Sequence, residues 1–189
     1  MADKREVVVL SAVRSAVGTF NGALAGMEPA ELGGVVFKEA IARSGVDPKQ
    51  ISFATVGNCI PTESRYAYVA RVSTIQAGLS MDSVAFLLGD ADFALGGGVE
   101  VMSRGAYLMP ALRSGARMGD TQAIDAMVAV LTDPFGVGHM GITAENLAVK
   151  HGISREQQDA FAVESQNRAA KALAEGRFKS QVAPITLKT

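Results

Sequence analysis

Apolar positions in the first half of the chain fall into short β-branched runs separated by stretches of helical period. Val7–Val13 is a run of the kind found in strands covered on both faces, and it breaks at the small-residue loop Arg14-Ser15-Ala16-Val17-Gly18-Thr19. A helix is predicted from Pro29 through Ser44, with proline near its first turn and Gly45 just past its end. Ile51–Asn58 predicts a second strand, Tyr66–Ala77 a second helix closed by Gly78, and Ser83–Phe86 the start of a third strand. This rhythm is that of a mostly parallel sheet with helices on its faces.

The rhythm then fails. Leu87-Leu88-Gly89-Asp90-Ala91-Asp92 has the signature of a helix end, yet almost no helix precedes it, and Phe93-Ala94-Leu95-Gly96-Gly97-Gly98 starts another strand. A crossover between parallel strands takes about a dozen residues, usually helical. Either the two strands are antiparallel or sequence is missing between Ala85 and Asp92, and the spacing favours missing sequence.

Beyond Ser103 the pattern changes. Arg104–Gly119 is loop-like, with Gly105, Pro110 and Gly115. Asp120 is expected to cap a helix carrying Ile124, Met127, Val128 and Leu131 on one stripe, ended by Thr132-Asp133-Pro134. After the glycine-rich segment Phe135–Gly141, Thr143 is expected to cap a short helix that stops at Gly152. Ser154 and Gln157 form a capping box for a longer helix ending at Gly176, and Val182–Leu187 is a strand or an extended tail. The second half reads as a small helical lobe. The expected division is an α/β core over 1–103 and an inserted helical lobe over 104–189.

Composition narrows the classes. With 48% hydrophobic and 20% charged residues and a net charge of −1, the chain is globular, and no segment has the basic density of a nucleic-acid or membrane-surface patch. A single cysteine, Cys59, excludes an intramolecular disulfide and a cysteine-rich zinc site, which fits a reducing compartment. Lys4-Arg5 before Val7–Leu10 superficially resembles a signal peptide, but the apolar run is short and Arg14 follows at once. No run reaches transmembrane length, so a cytoplasmic location is expected.

Few residues suggest chemistry by themselves. Cys59 stands at a strand end in Gly57-Asn58-Cys59-Ile60-Pro61, with no cation, imidazole or helix start nearby in sequence to lower its pKa, and it reads as a small buried structural residue. His139 lies between glycines, either facing a ligand or held by local hydrogen bonds. His151 follows Lys150 near a helix end and reads as solvated. Gly96–Gly98 is neither a phosphate loop nor a dinucleotide fingerprint, because Val101 occupies the final glycine position and no lysine is placed to hold phosphate. Close backbone packing explains it better. Arg113 and Arg117 read as surface charges.

Several segments together resemble the thiolase family of acyl-CoA acyltransferases. They are Val9-Leu10-Ser11-Ala12-Val13-Arg14-Ser15-Ala16-Val17-Gly18-Thr19-Phe20, Gly57-Asn58, Gly89-Asp90-Ala91-Asp92 leading to Gly96-Gly97-Gly98-Val99-Glu100-Val101-Met102-Ser103, Gly138-His139-Met140-Gly141-Ile142-Thr143-Ala144-Glu145-Asn146, and Ser154-Arg155-Glu156-Gln157-Gln158-Asp159. The resemblance is greatest to the bacterial biosynthetic type, which makes or cleaves short 3-ketoacyl-CoA. It implies two similar α/β halves with a helical loop domain inserted in the first, and therefore an α/β fold whose C-terminal half is absent here. It also implies that Leu131, His139 and Met140 stand where the lobe meets the pantetheine arm of coenzyme A.

The departures bear on activity. The family's nucleophilic cysteine opens a buried helix between the strand matching Ser83–Phe86 and the turn matching Gly89–Asp92, and that helix is missing near 86–88. Cys59 is not its counterpart, and the activating histidine and second cysteine of the other half are also absent. The resemblance thus implies part of an enzyme that condenses two acetyl-CoA or cleaves 3-ketoacyl-CoA through a cysteine acyl-enzyme, with no catalytic residue in these 189. The alternative is a non-catalytic remnant that binds acyl-CoA or pairs with a full-length subunit. Coenzyme A thioesters are expected as substrates, with no cofactor and no metal. A homodimer or homotetramer is expected, with neither nucleic acid nor membrane as partner.

Overall fold

A computed structural model of the chain describes residues 6–62, 68–84 and 91–187. It divides into two compact units. The first runs up to Arg104 and regains the chain from Gln181, while the second is Gly105–Ser180. The last residues therefore pack with the α/β unit, where the sequence reading had placed them in the lobe: Arg14 pairs in parallel with Val182, through Arg14 N–H to the Gln181 carbonyl at 2.9 Å and Ala183 N–H to the Arg14 carbonyl at 2.8 Å.

In the first unit, helix α1 (Pro29–Ser44) begins and ends where proline and glycine predicted, and Gly45 takes the left-handed conformation, φ 71°, that lets the chain leave the last turn. Strand β1 (Phe53–Gly57) pairs in parallel with β2 (Ala94–Gly98), in the register Phe53↔Ala94 through Gly57↔Gly98. Val84 pairs in parallel with Phe53 on the other edge of β1. The antiparallel alternative is thereby excluded, since Val84 and β2 both run parallel to β1. Most of the expected helix end, Leu87 to Asp90, and residues Ala85 and Phe86 of the third strand lie outside the described residues, as do Tyr66 and Ala67 at the start of the second helix.

Helix α2 (Val69–Gln76) packs on α1 through small residues. A Cβ on Gly34 would stand 3.1 Å from the Gln76 Cβ, so glycine here lets the two helices approach closely. Ser73 and Thr74 are fully buried, and each hydroxyl donates to a carbonyl four residues back, Val69 and Ala70, at 2.7 Å. Apolar burial completes the core: Phe37, Ile41, Ile51, Ala54, Ala77 and Leu79 form one cluster, and Ala30, Leu32, Val69, Val99 and Val101 another. Within the triple glycine, Gly97 has the close-packing role expected of it. A Cβ on Gly97 would lie 2.5 Å from the Phe37 ring.

Val7–Val13 does not form the expected strand. Val7 and Val9 are 93% and 85% exposed, and residues 6–13 share no backbone hydrogen bond with any described residue. The run is held instead at its end, where the Ser11 hydroxyl donates to the Ala40 carbonyl at 2.7 Å and Arg14 pairs with Val182.

The second unit contains β3 (Tyr107–Leu108) paired antiparallel with β4 (Ile124–Asp125), then α3 (Ala126–Val130), α4 (Met140–His151) and α5 (Arg155–Ala174). Two predicted starts move. Ile124 is recruited into pairing with Leu108, so the helix begins after Asp125, whose carboxylate accepts the Met127 amide at 2.8 Å, rather than at Asp120. Of its stripe, Ile124 and Val128 are exposed while Met127 and Leu131 are half-buried. Helix α4 is capped by His139 and not by Thr143. The capping box of α5 forms as predicted, with Ser154 Oγ accepting from the Gln157 amide and Gln157 Oε1 from the Ser154 amide. No helix among the described residues is long and apolar enough to cross a membrane.

Candidate functional site

Parallel α/β sheets present their loops at the carboxyl ends of the strands, and ligands usually bind there. At that end of β1 the chain turns through Asn58, Cys59 and Ile60, and Glu100 follows β2. The Glu100 carboxylate accepts the Cys59 amide, the Ile60 amide at 3.2 Å and the Asn58 side-chain amide at 3.1 Å. Asn58 also donates to the Val99 carbonyl at 2.8 Å. One carboxylate thus ties the loop after β1 to the loop after β2.

Cys59 is exposed, which corrects the expectation of a buried structural residue. The turn buries Ile60, 4% exposed, and so directs the preceding side chain outward. The Asn58–Glu100 bracket escaped the sequence reading. Both residues belonged to quoted motifs, but nothing in a single sequence pairs positions 42 apart.

The second unit brings the three pantetheine candidates together. Leu131 follows α3, and its carbonyl accepts the Met140 amide at 2.9 Å. Thr132 and His139 form an antiparallel bridge, and the Asp133 amide donates to the Gly138 carbonyl at 2.8 Å, closing the glycine-rich loop between them. His139 Nδ1 accepts the Gly141 amide at 3.1 Å as the N-cap of α4. That role needs a bare Nδ1, so the proton sits on Nε2, where an exposed imidazole can donate outward. Leu131 is half-buried, while His139 and Met140 are exposed. Backbone hydrogen bonds thus hold Leu131, His139 and Met140 at one turn of the chain. His151 closes α4 and is exposed, and Arg113 and Arg117 are exposed surface residues.

The family model for the thiolase N-terminal domain matches residues 7–88 and 81–189, in two segments that overlap at 81–88. The chain belongs to the thiolase family. It is 45% identical to the beta-ketothiolase BktB of Cupriavidus necator over 204 aligned residues, covering 97% of this chain and 52% of that protein. It is 39% identical to an acetyl-CoA acetyltransferase of Chromobacterium violaceum, covering 95% and 51%. Among solved structures, acetyl-CoA acetyltransferase from Syntrophomonas wolfei matches with a TM-score of 0.90 at 33% identity, over 96% of this chain and 51% of that one. Human mitochondrial 3-ketoacyl-CoA thiolase, solved in complex with CoA, matches with a TM-score of 0.84 at 28% identity, over 94% and 50%. The α/β fold with the thiolase N-terminal pattern is therefore established, and the chain spans about half the length of the curated relatives it matches.

Proposed function

We propose that this chain is the coenzyme-A-facing N-terminal portion of a thiolase-type acyltransferase, and that its 189 residues alone do not transfer acyl groups. The carrying observation is the short link between Val84 and Ala94, which flank Phe53 on opposite edges in parallel register. Residues 85–93 fall short of the usual helical crossover, and the family model matches in two pieces that meet there. The alignment of 204 residues to the Cupriavidus protein is longer than this chain, so the relative has residues without a counterpart here. By the resemblance, the segment without a counterpart is the helix that carries the nucleophilic cysteine.

The relatives' names support coenzyme A thioesters as the substrate class; by the resemblance, two acetyl-CoA are condensed or a short 3-ketoacyl-CoA is cleaved, without a resident cofactor. The catalytic cycle of such an enzyme is ping-pong, a cysteine taking an acyl group and passing it to a second thiol or an acetyl-CoA enolate. In this chain the reading assigns binding alone, with Leu131 and Met140 as the apolar wall for pantetheine and His139 Nε2–H as a donor to one of its amide carbonyls. The division into an α/β core and a helical lobe, self-association as a dimer or tetramer and a cytoplasmic setting belong to the same proposal.

Calorimetric titration of coenzyme A into the purified chain tests the binding role, and intact mass after incubation with acetyl-CoA tests the catalytic one. Saturable binding weakened by Leu131→Asp, with no acetyl adduct on Cys59, is expected. Binding unaffected by that change removes the pantetheine assignment, and a stable acetyl adduct removes the claim of no catalysis.

A further inference from the structure

His139 holds the start of α4 with its side chain and its backbone together. Its Nδ1 accepts the Gly141 amide at 3.1 Å, and a Cβ on Gly141 would stand 3.4 Å from that nitrogen. Its carbonyl accepts the Ile142 amide at 2.8 Å, and its backbone bridges Thr132 across the loop closed by the Asp133 amide and the Gly138 carbonyl. One residue on, the Met140 amide donates to the Leu131 carbonyl at 2.9 Å. The acceptor that starts α4 is thus next in the chain to the bond that holds Leu131 beside Met140.

A serine or asparagine cap accepts at every pH near neutrality, whereas an imidazole nitrogen accepts only while it carries no proton. Imidazole gains its charge between about pH 8 and about pH 5. A protonated Nδ1 is a donor facing the Gly141 donor, and its charge stands at the positive end of the helix dipole. The cap therefore acts above that range and is lost as pH falls through it. No acidic residue in the first turn of α4 offsets the new charge. The charged groups on the surrounding elements are Asp133, which accepts the Phe135 amide at 2.5 Å, Asp125, which caps α3, and Glu145, Lys150 and His151 along α4. None of them is ion-paired with His139 among the described residues.

We infer that His139 is a pH-operated latch: protonation at Nδ1 opens the first turn of α4, loosens the Met140–Leu131 bond and weakens binding of coenzyme A. The binding step rests on the proposed pantetheine role of Leu131 and Met140, and the opening of the turn does not.

Amide protection factors at Met140 and Gly141, corrected for intrinsic exchange, are measured by NMR from about pH 8 to about pH 5.5 in the chain and in His139→Asn, alongside calorimetric titration of coenzyme A. Asparagine caps without titrating, and it controls for the coenzyme's own phosphates. In the native chain both protection factors should fall about fivefold on acidification, the worth of one cap, and affinity should fall with them while α5 is unchanged. In His139→Asn the protection factors should stay level and the affinity should depend less on pH. Protection that persists in the native chain, or that falls equally in His139→Asn, overturns the latch. So does affinity that rises on acidification relative to His139→Asn, the sign of a cation attracting the anionic coenzyme directly. Absence of coenzyme A binding at every pH removes the pantetheine reading, and the protection factors then decide the latch alone.

Discussion

Val84 and Ala94 stand on opposite edges of one strand, each in parallel register with Phe53. The Val84 amide donates to the Ser52 carbonyl at 2.9 Å, and its carbonyl accepts the Ala54 amide at 3.0 Å. Two strands at this spacing lie about 10 Å apart across β1. Both positions sit at the same level along β1. Val84→Pro removes one of the two bonds on that edge, and an unfolding free energy lower by about 1–3 kcal/mol in urea titration is expected. An unchanged midpoint contradicts the pairing.

Phe37 and Gly97 make a packing prediction in the core. A methyl group at Gly97 would stand 2.5 Å from a ring that is 4% exposed and held by its cluster. Gly97→Ala is expected to cost about 1–3 kcal/mol through overpacking. At Gly96 the nearest atom, Thr55 Cγ2, is 3.9 Å away, so Gly96→Ala is the control and should be near neutral. Equal effects of the two substitutions contradict the account.

Glu100 organises the loops at the strand ends. Glu100→Gln leaves one oxygen to serve donors that two now serve, and a loss of about 1–2 kcal/mol is expected by urea unfolding. Because Cys59 is exposed, an aromatic disulfide reagent should titrate its thiol in the folded chain as readily as after denaturation. A thiol that reacts only after unfolding contradicts the observed turn.

The start of α5 is pH-sensitive in a definite direction. A hydrogen bond with the Ser154 side chain, and then one with its own backbone amide, hold the Glu156 carboxyl below its ordinary value of 4.5. A carboxyl lowered on folding stabilises the folded state above its unfolded value, and that contribution fades as pH falls through the folded one. Protection factors at Arg155–Asp159, corrected for the intrinsic exchange rate at each pH, should therefore fall on acidification below 4.5, and Glu156→Gln should remove this response. Ser154→Ala removes the cap outright, at an expected cost of about 1 kcal/mol.

Local signals were legible and non-local ones were not. Pro29 with Gly45, and Ser154 with Gln157, encode the limits of α1 and α5 within a few residues, so both were read from the chain. Val7–Val13 has strand composition, but its conformation depends on a neighbouring edge that no local pattern reveals. Asp120 lost its capping role to Asp125 because Leu108, far earlier in the chain, recruits Ile124 into a ladder. In the candidate site, Leu131, His139 and Met140 were placed by resemblance, and the structure brings them together through the Leu131–Met140 hydrogen bond. The Glu100 bracket needed the fold before it could be seen.

The most direct test of the central claim is a thiolysis assay with acetoacetyl-CoA and coenzyme A on the chain purified away from any full-length thiolase. The account predicts no consumption of acetoacetyl-CoA above the rate without protein, in a preparation that still binds coenzyme A. Turnover that is retained on further purification and abolished by Cys59→Ser would contradict it.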